Sequence, residues 1–200
     1  MRPLARCAPN AVRAVRPLPD AFFHRPAAQV ARDLLGRRLE SRIGGVVTGG
    51  RIIETEAYLG ITDPASHAFG GRRYAGNASL YGPPGRWYVY RSYGIHWCIN
   101  LVTAPVGSGA AVLIRAIQPE GNLAALRLRR GGRLDAVLAN GPGKLAQALG
   151  VTDTLDGQPM AGSALVVLEG DPVADEAVEA TPRIGITKGV EARLRFVVNL

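Results

Sequence analysis

The stretch Trp87-Tyr-Val-Tyr-Arg-Ser-Tyr-Gly-Ile-His-Trp-Cys-Ile-Asn-Leu-Val102 holds three of the six tyrosines and both tryptophans of this 200-residue chain. Large side chains alternate on either side of Tyr93-Gly94, the period of a strand, so residues 87–92 and 95–102 are predicted to pair as a hairpin with Tyr93 near its tip. On the second strand His96, Cys98 and Asn100 share one face, and Ile95, Trp97 and Ile99 the other. An amide such as Asn100 on a buried face demands a hydrogen-bonding partner.

Outward from this hairpin the chain keeps a strand character with few helices. Pro26 opens a helix through Ala31, Leu34 and Leu35 that stops at Gly36, with Pro at the start and Gly past the end. Residues 39–43 and 46–56 are predicted strands joined at Gly44-Gly45, with Gly49-Gly50 expected to bend or break the second. Residues 110–117, 164–169 and 194–198 complete the strands, and residues 119–130 and 143–149 are predicted helical. The fold class is therefore α+β, in one domain over residues 20–200. Residues 1–19 carry four arginines, four prolines and no acid, and are expected to form a flexible basic arm.

Composition narrows the function. No apolar run approaches the roughly 20 residues that span a bilayer, so no membrane partner is expected. Cys7 and Cys98 are far apart without a Cys or His cluster, which supports neither a disulfide framework nor a metal site and suits a reducing compartment. A net charge of +8 with a pI near 10.2 points to a polyanion such as nucleic acid. Arginine supplies all of the basic residues except Lys144 and Lys188.

Several residue types fit chemistry on a nucleic acid. In Arg51-Ile-Ile-Glu-Thr-Glu-Ala-Tyr-Leu-Gly60, a regular strand aims Glu54 and Glu56 at one face; cleaving a glycosidic bond needs only one carboxylate, to take a proton from water and to face the charge growing on the sugar. Arg115 ends the apolar run from residue 110, where a guanidinium serves to hold a carboxylate or a phosphate, or a scaffold ion pair; Glu56 is one candidate partner. His67 lies in a turn-rich loop as a possible hydrogen-bonding partner of a base. Tyr93 beside Gly94 puts a large ring where a core cannot hide it and where a wedge between stacked bases would use it. Asn140-Gly-Pro-Gly-Lys144 leads into a helix, so its amides and lysine could face a phosphate or form a plain capped turn.

Taken together, Glu54-Thr-Glu-Ala-Tyr-Leu-Gly60, Trp87-Tyr-Val-Tyr90 with Tyr93-Gly94, Asn100, Ile114-Arg115-Ala116, Asn140-Gly-Pro-Gly-Lys-Leu-Ala-Gln-Ala-Leu149, Arg183-Ile-Gly-Ile186 and Leu194-Arg-Phe196 resemble the alkyladenine (3-methyladenine) DNA glycosylase family. The resemblance runs in order from about Pro26 to the C-terminus and departs from the vertebrate-like pattern at His96 and around Leu80. It implies a curved antiparallel sheet, similar to formyltransferase C-terminal domains, with a projecting DNA-binding hairpin. It further implies Glu56 as general base, Arg115 as its holder, Tyr58, His67 and Tyr90 as walls around a flipped base, and Asn100 as a guard against guanine's amino group. Tyr93 would be the wedge, and Gly143 and Lys144 would touch the DNA backbone.

The implied activity is monofunctional. A lyase needs a nucleophilic amine of lowered pKa, and only Lys144 and Lys188 are available besides the N-terminus. The expected partner is duplex DNA containing alkylated or deaminated purines: 3-methyladenine, with 7-methylguanine, hypoxanthine and ethenoadenine as further candidates. No cofactor is expected, the chain is expected to act as a monomer, and it would work at the nucleoid of a bacterium or in the nucleus or mitochondrion of a eukaryote. The alternative is a nucleic-acid-binding module without catalysis, which would not require Glu56 together with Arg115.

Overall fold

The computed structural model describes residues 16–198. Eight strands form one sheet in which every hydrogen-bonded pair is antiparallel. They are β1 (Arg38–Ser41), β2 (Thr48–Tyr58), β3 (Trp87–Ser92), β4 (His96–Thr103), β5 (Ala110–Glu120), β6 (Leu165–Leu168), β7 (Val178–Thr181) and β8 (Arg195–Val198). The main order is β3-β4-β5-β2-β1-β6. Three short helices accompany them: α1 (Ala27–Leu34), α2 (Leu123–Arg129) and α3 (Pro142–Leu149). The expected α+β class in a single domain is the one observed.

The sheet forks at β2. Its first half pairs with β1, Thr48 opposite Ser41, and its second half with β8, Glu54 opposite Val197 and Glu56 opposite Arg195, while β5 runs along the other side. The fork coincides with two compensating bulges. Between β2 and β5, Ile52 faces Ile117, Glu54 faces Ala116 and Thr55 faces Ile114, which leaves Ile53 on one strand and Arg115 on the other as extra residues. A bulge redirects the side chains that follow it. Here Ile52 points into the core, whereas Glu54, Glu56 and Tyr58 come to the opposite face.

The core lies on one side of the sheet. Trp87, Ile99, Leu101, Val112 and Ile114 meet Val30, Ala31 and Leu34 of α1 and Leu145 and Leu149 of α3 in one buried cluster. The Thr55 hydroxyl donates to the Ala31 carbonyl at 2.8 Å and ties α1 to β2 without stranding a polar group. On the other side Tyr88, Val102 and Ala111 pack with Ala68, Leu80 and Tyr81 from the long segment between β2 and β3. That segment is built of short 3₁₀ turns.

Several expectations are corrected. Gly49-Gly50 does not break β2; a Cβ would lie 2.1 Å from the Leu39 carbonyl oxygen at Gly49 and 2.1 Å from that of Gln118 at Gly50, so the pair admits β1 and β5 at close range on either side. Pro119 and Glu120 end β5 instead of opening a helix, and α2 starts only after Asn122, whose side chain caps the Ala125 amide. Strand β7, absent from the sequence-based assignment, pairs with β8. Of the basic arm expected over residues 1–19, residues 1–15 lie outside the described part; Arg16 and Leu18 hydrogen-bond to β6 and its flank, and Leu18 is buried. No helix among the described residues is long and apolar enough to cross a membrane.

Candidate active site

A row of directly opposed residues crosses the face away from the core: Tyr88, Asn100, Leu113, Glu56. Glu56, at its end, is fully buried. A charge taken out of water must be compensated, and this one is. Its Oε1 accepts the Ile184 amide at 2.7 Å and lies 3.2 Å from Nη1 of Arg115, and its Oε2 accepts the Tyr58 hydroxyl at 2.8 Å. Arg115 also donates from Nε to Glu54 Oε1 at 2.8 Å, and the same oxygen accepts Nε of Arg195 at 2.6 Å. Acids and arginines thus alternate: Glu56, Arg115, Glu54, Arg195. Burial works against the charge on Arg115, and the carboxylates of Glu56 and Glu54 more than offset it, so the guanidinium titrates above its ordinary range. Burial and the Glu56 charge raise the Tyr58 phenol far above its usual value, which keeps it a proton donor.

Beside this row opens a cleft of about 880 Å³, lined by Tyr58, His67, Tyr74, Tyr88, Tyr90 and Asn100 among others. The Tyr88 hydroxyl and His67 Nδ1 are 2.6 Å apart, the His67 ring meets the Tyr90 ring edge-on at 4.5 Å, and Tyr88 and Tyr90 stack at 5.3 Å. Burial and the charge of Arg72 lower the pKa of His67, so it is neutral at physiological pH. Asn100, buried, commits its Nδ2 to the Tyr88 carbonyl at 3.0 Å, the partner its position demanded. Tyr93 stands at the tip of the β3–β4 hairpin, 89% exposed, with φ of +51° followed by Gly94 at +68°. A bulky residue in this region costs on the order of 1–3 kcal/mol and persists only where the surrounding structure fixes it.

The model of methylpurine-DNA glycosylases matches residues 21–200. The chain belongs to the methylpurine-DNA glycosylase family. Similar curated relatives, each provisionally named a 3-methyladenine DNA glycosylase, come from Granulibacter bethesdensis (49% identical, covering 90% of this chain and 82% of the relative) and Rhodopseudomonas palustris (48%, 94% and 90%). A third comes from Methanoculleus marisnigri (45%, 91% and 95%). As a member of this family the chain is a DNA glycosylase, a hydrolase of base-excision repair.

In this glycosylase the structure brings Glu56, Arg115, Tyr58, His67, Tyr90 and Asn100 together at or beside the cleft, and Tyr93 on its rim. Gly143 and Lys144 do not line it. Lys144 bonds Asn140 Oδ1 at 2.9 Å, and a Cβ on Gly143 would lie 2.8 Å from His96 Cβ, so the glycine lets α3 sit against the hairpin close to its turn. Sequence reasoning gave no role to Arg195, to the amide of Ile184, or to the segment 185–188 that forms one lip of the cleft. It also missed the latch between the lips. Asp63, on the loop that carries His67, receives both guanidinium ends of Arg183 at 2.5 and 2.8 Å, plus the amides of Leu59 and Ala65. Arg183 in turn lies 4.7 Å over the Tyr58 ring.

Burial pushes the Asp63 carboxyl up, but Arg183 and the two amides outweigh it and hold it below the ordinary carboxylate range. A depressed folded pKa contributes stability that is complete above the unfolded value of about 4 and is lost as pH falls through the folded one. Asp63→Asn, which strands the buried Arg183, should lower unfolding stability at pH 7 by roughly 3–5 kcal/mol. In urea titrations the gap between parent and variant should narrow as pH drops below about 4; a small gap that ignores pH would contradict the latch.

Proposed function

We propose that this glycosylase removes 3-methyladenine and related alkylated purines from duplex DNA by hydrolysis, with Glu56 activating the water. The observation that carries the reading is a fully buried carboxylate held by three partners, one of which, Tyr58, lines an aromatic cleft. The scissile bond is inaccessible inside the stack, so the nucleotide must swing out, which is cheapest for a damaged and weakly paired base. Tyr58, His67 and Tyr90, which line the cleft, would then enclose it. Electron-rich rings attract the positive charge of a methylated purine by about 0.5–2 kcal/mol.

As the bond to the base lengthens, positive charge grows on the sugar. A carboxylate fixed by Arg115 and the Ile184 amide opposes that charge without reorganising and takes the proton from the attacking water. The products are a free purine and an abasic site. This carboxylate mechanism calls on no metal or cofactor. Hypoxanthine and ethenoadenine, neutral lesions, would rely on polar contacts from Asn100 and the loop of His67 instead of on charge. Cleavage of the strand is not part of the reading: Lys144 is engaged with Asn140 outside the cleft, and Lys188 is exposed at its rim, where a phosphate would pass. The net charge of +8 serves the same backbone, and Tyr93 fills the space the flipped nucleotide leaves. One molecule suffices for every step, so we take the working form to be a monomer.

Glu56→Gln keeps the shape but cannot accept a proton; single-turnover release of 3-methyladenine should fall by about 10³-fold or more while duplex affinity stays close to the parent's. A near-parent rate would exclude Glu56 as the base. Tyr93→Ala should slow excision about ten-fold or more at a fully paired site, an unstacking cost of a few kcal/mol being left uncovered. The same lesion in a bulge should lose far less. Equal losses on both substrates would make Tyr93 structural.

A further inference from the structure

Glu54 and Arg195 are charged, mostly buried, and have no part in the steps above. Their side chains are 14% and 21% exposed, against 10% for Arg115 and 0% for Glu56. Arg195 stands opposite Glu56 in the pairing of β2 with β8, yet it makes no ion pair with that residue. It reaches Glu54 through Nε and the Thr181 hydroxyl through Nη1 at 2.9 Å. Arg115, in contrast, is divided: Nε goes to Glu54 and Nη1 to Glu56. A scaffold ion pair needs only two charges, and two of these four touch Glu56 only through the others.

We propose that Glu54 and Arg195 are positioning residues that set the basicity of Glu56, Glu54 by drawing on the Arg115 guanidinium and Arg195 by limiting that draw. The inference rests on Glu56 being the base. An arginine whose positive charge is shared between two carboxylates stabilises each less than it would one alone, and the second arginine shifts the share back toward Glu56. The remaining polar groups that face Glu56 are Tyr58 of β2, Tyr90 of β3, Cys98 of β4, and Arg183 with the Ile184 amide from the segment after β7. Burial raises the two phenols and the thiol, so none of them titrates on the acid side of neutrality. Glu54 itself is then the one other acid of this group.

The two neutral variants should move the enzyme in opposite directions. With Glu54→Gln, the whole of Arg115 falls to Glu56, its proton affinity drops, and the acid limb of the rate profile shifts to lower pH, by on the order of half a unit or more. The plateau rate should also fall several-fold, because a weaker base takes the proton less readily. With Arg195→Gln, Glu54 leans wholly on Arg115, and the limb shifts to higher pH. Arg195→Lys should shift the limb the same way by less, and the double variant Glu54→Gln with Arg195→Gln should coincide with Glu54→Gln alone, because without Glu54 there is no draw on Arg115 for Arg195 to limit.

The test is the pH dependence of single-turnover 3-methyladenine release from methylated duplex, less the release without protein, with thermal melts of each variant. If Arg195→Gln does not fold, Arg195→Lys takes its place, with a smaller shift expected in the same direction. Opposite shifts support the proposal; rates lowered with unmoved limbs, or limbs moved the same way, overturn it. Glu56→Gln is run alongside. If it keeps the parent's acid limb, Glu56 is not the base and the earlier reading fails; if it loses the limb while Glu54→Gln and Arg195→Gln do not oppose one another, only the present inference fails.

Discussion

A carboxylate buried beside a cleft, out of reach of bulk water, persists only where its charge is answered at short range, and here Arg115 answers two of them. Much of the architecture follows from placing that guanidinium. The paired bulges at Ile53 and Arg115 turn Glu54, Glu56 and Arg115 to one face, and the fork of the sheet at the same point brings β8 and Arg195 against Glu54. The segment after β7 returns across the site so that the Ile184 amide meets Glu56 and Arg183 meets Asp63. Each addition supplies a donor to an acid that would otherwise be buried without one.

The cleft is the counterpart of this arrangement. Alternation along β3 and β4 sends Trp87, Val89, Ile99 and Leu101 into the core and Tyr88, Tyr90, Cys98 and Asn100 toward the site. One pair of strands thereby supplies both the packing that fixes the sheet and the aromatic wall that a flipped base would stack on. The hairpin joining them carries Tyr93 beyond the protein surface at a strained backbone angle. Rigid strands behind an exposed ring would suit the wedge role proposed for Tyr93.

What could be read without coordinates follows the range of each signal. The hairpin was legible because its period is local, whereas residue types alone left Glu54 and Glu56 as alternatives and Glu56 as one candidate partner of Arg115, a contact that the structure makes. The fork at β2 was not, since strand pairing depends on register and nothing in residues 48–58 says that two partners share one edge. Strand β7 was missed because Val178-Glu-Ala-Thr181 is four residues of weak alternation that become a strand only by pairing with β8. Gly49-Gly50 read as a break for a local reason, glycine's freedom, while the cause is non-local: backbone on both sides too close for a Cβ. The Asp63–Arg183 latch joins residues 120 positions apart, and no spacing rule reaches that far.

On the proposed reading, the buried Glu56 carboxylate beside the aromatic cleft hydrolyses the bond between base and sugar and leaves the strand intact. The most direct measurement gives the protein a methylated duplex, with borohydride present in a parallel sample, and analyses both base and strand. The account predicts free 3-methyladenine, an intact strand that breaks only on later treatment with alkali, and no protein trapped on DNA by borohydride. Absence of released base, or a nicked strand with a lysine adduct, would contradict it.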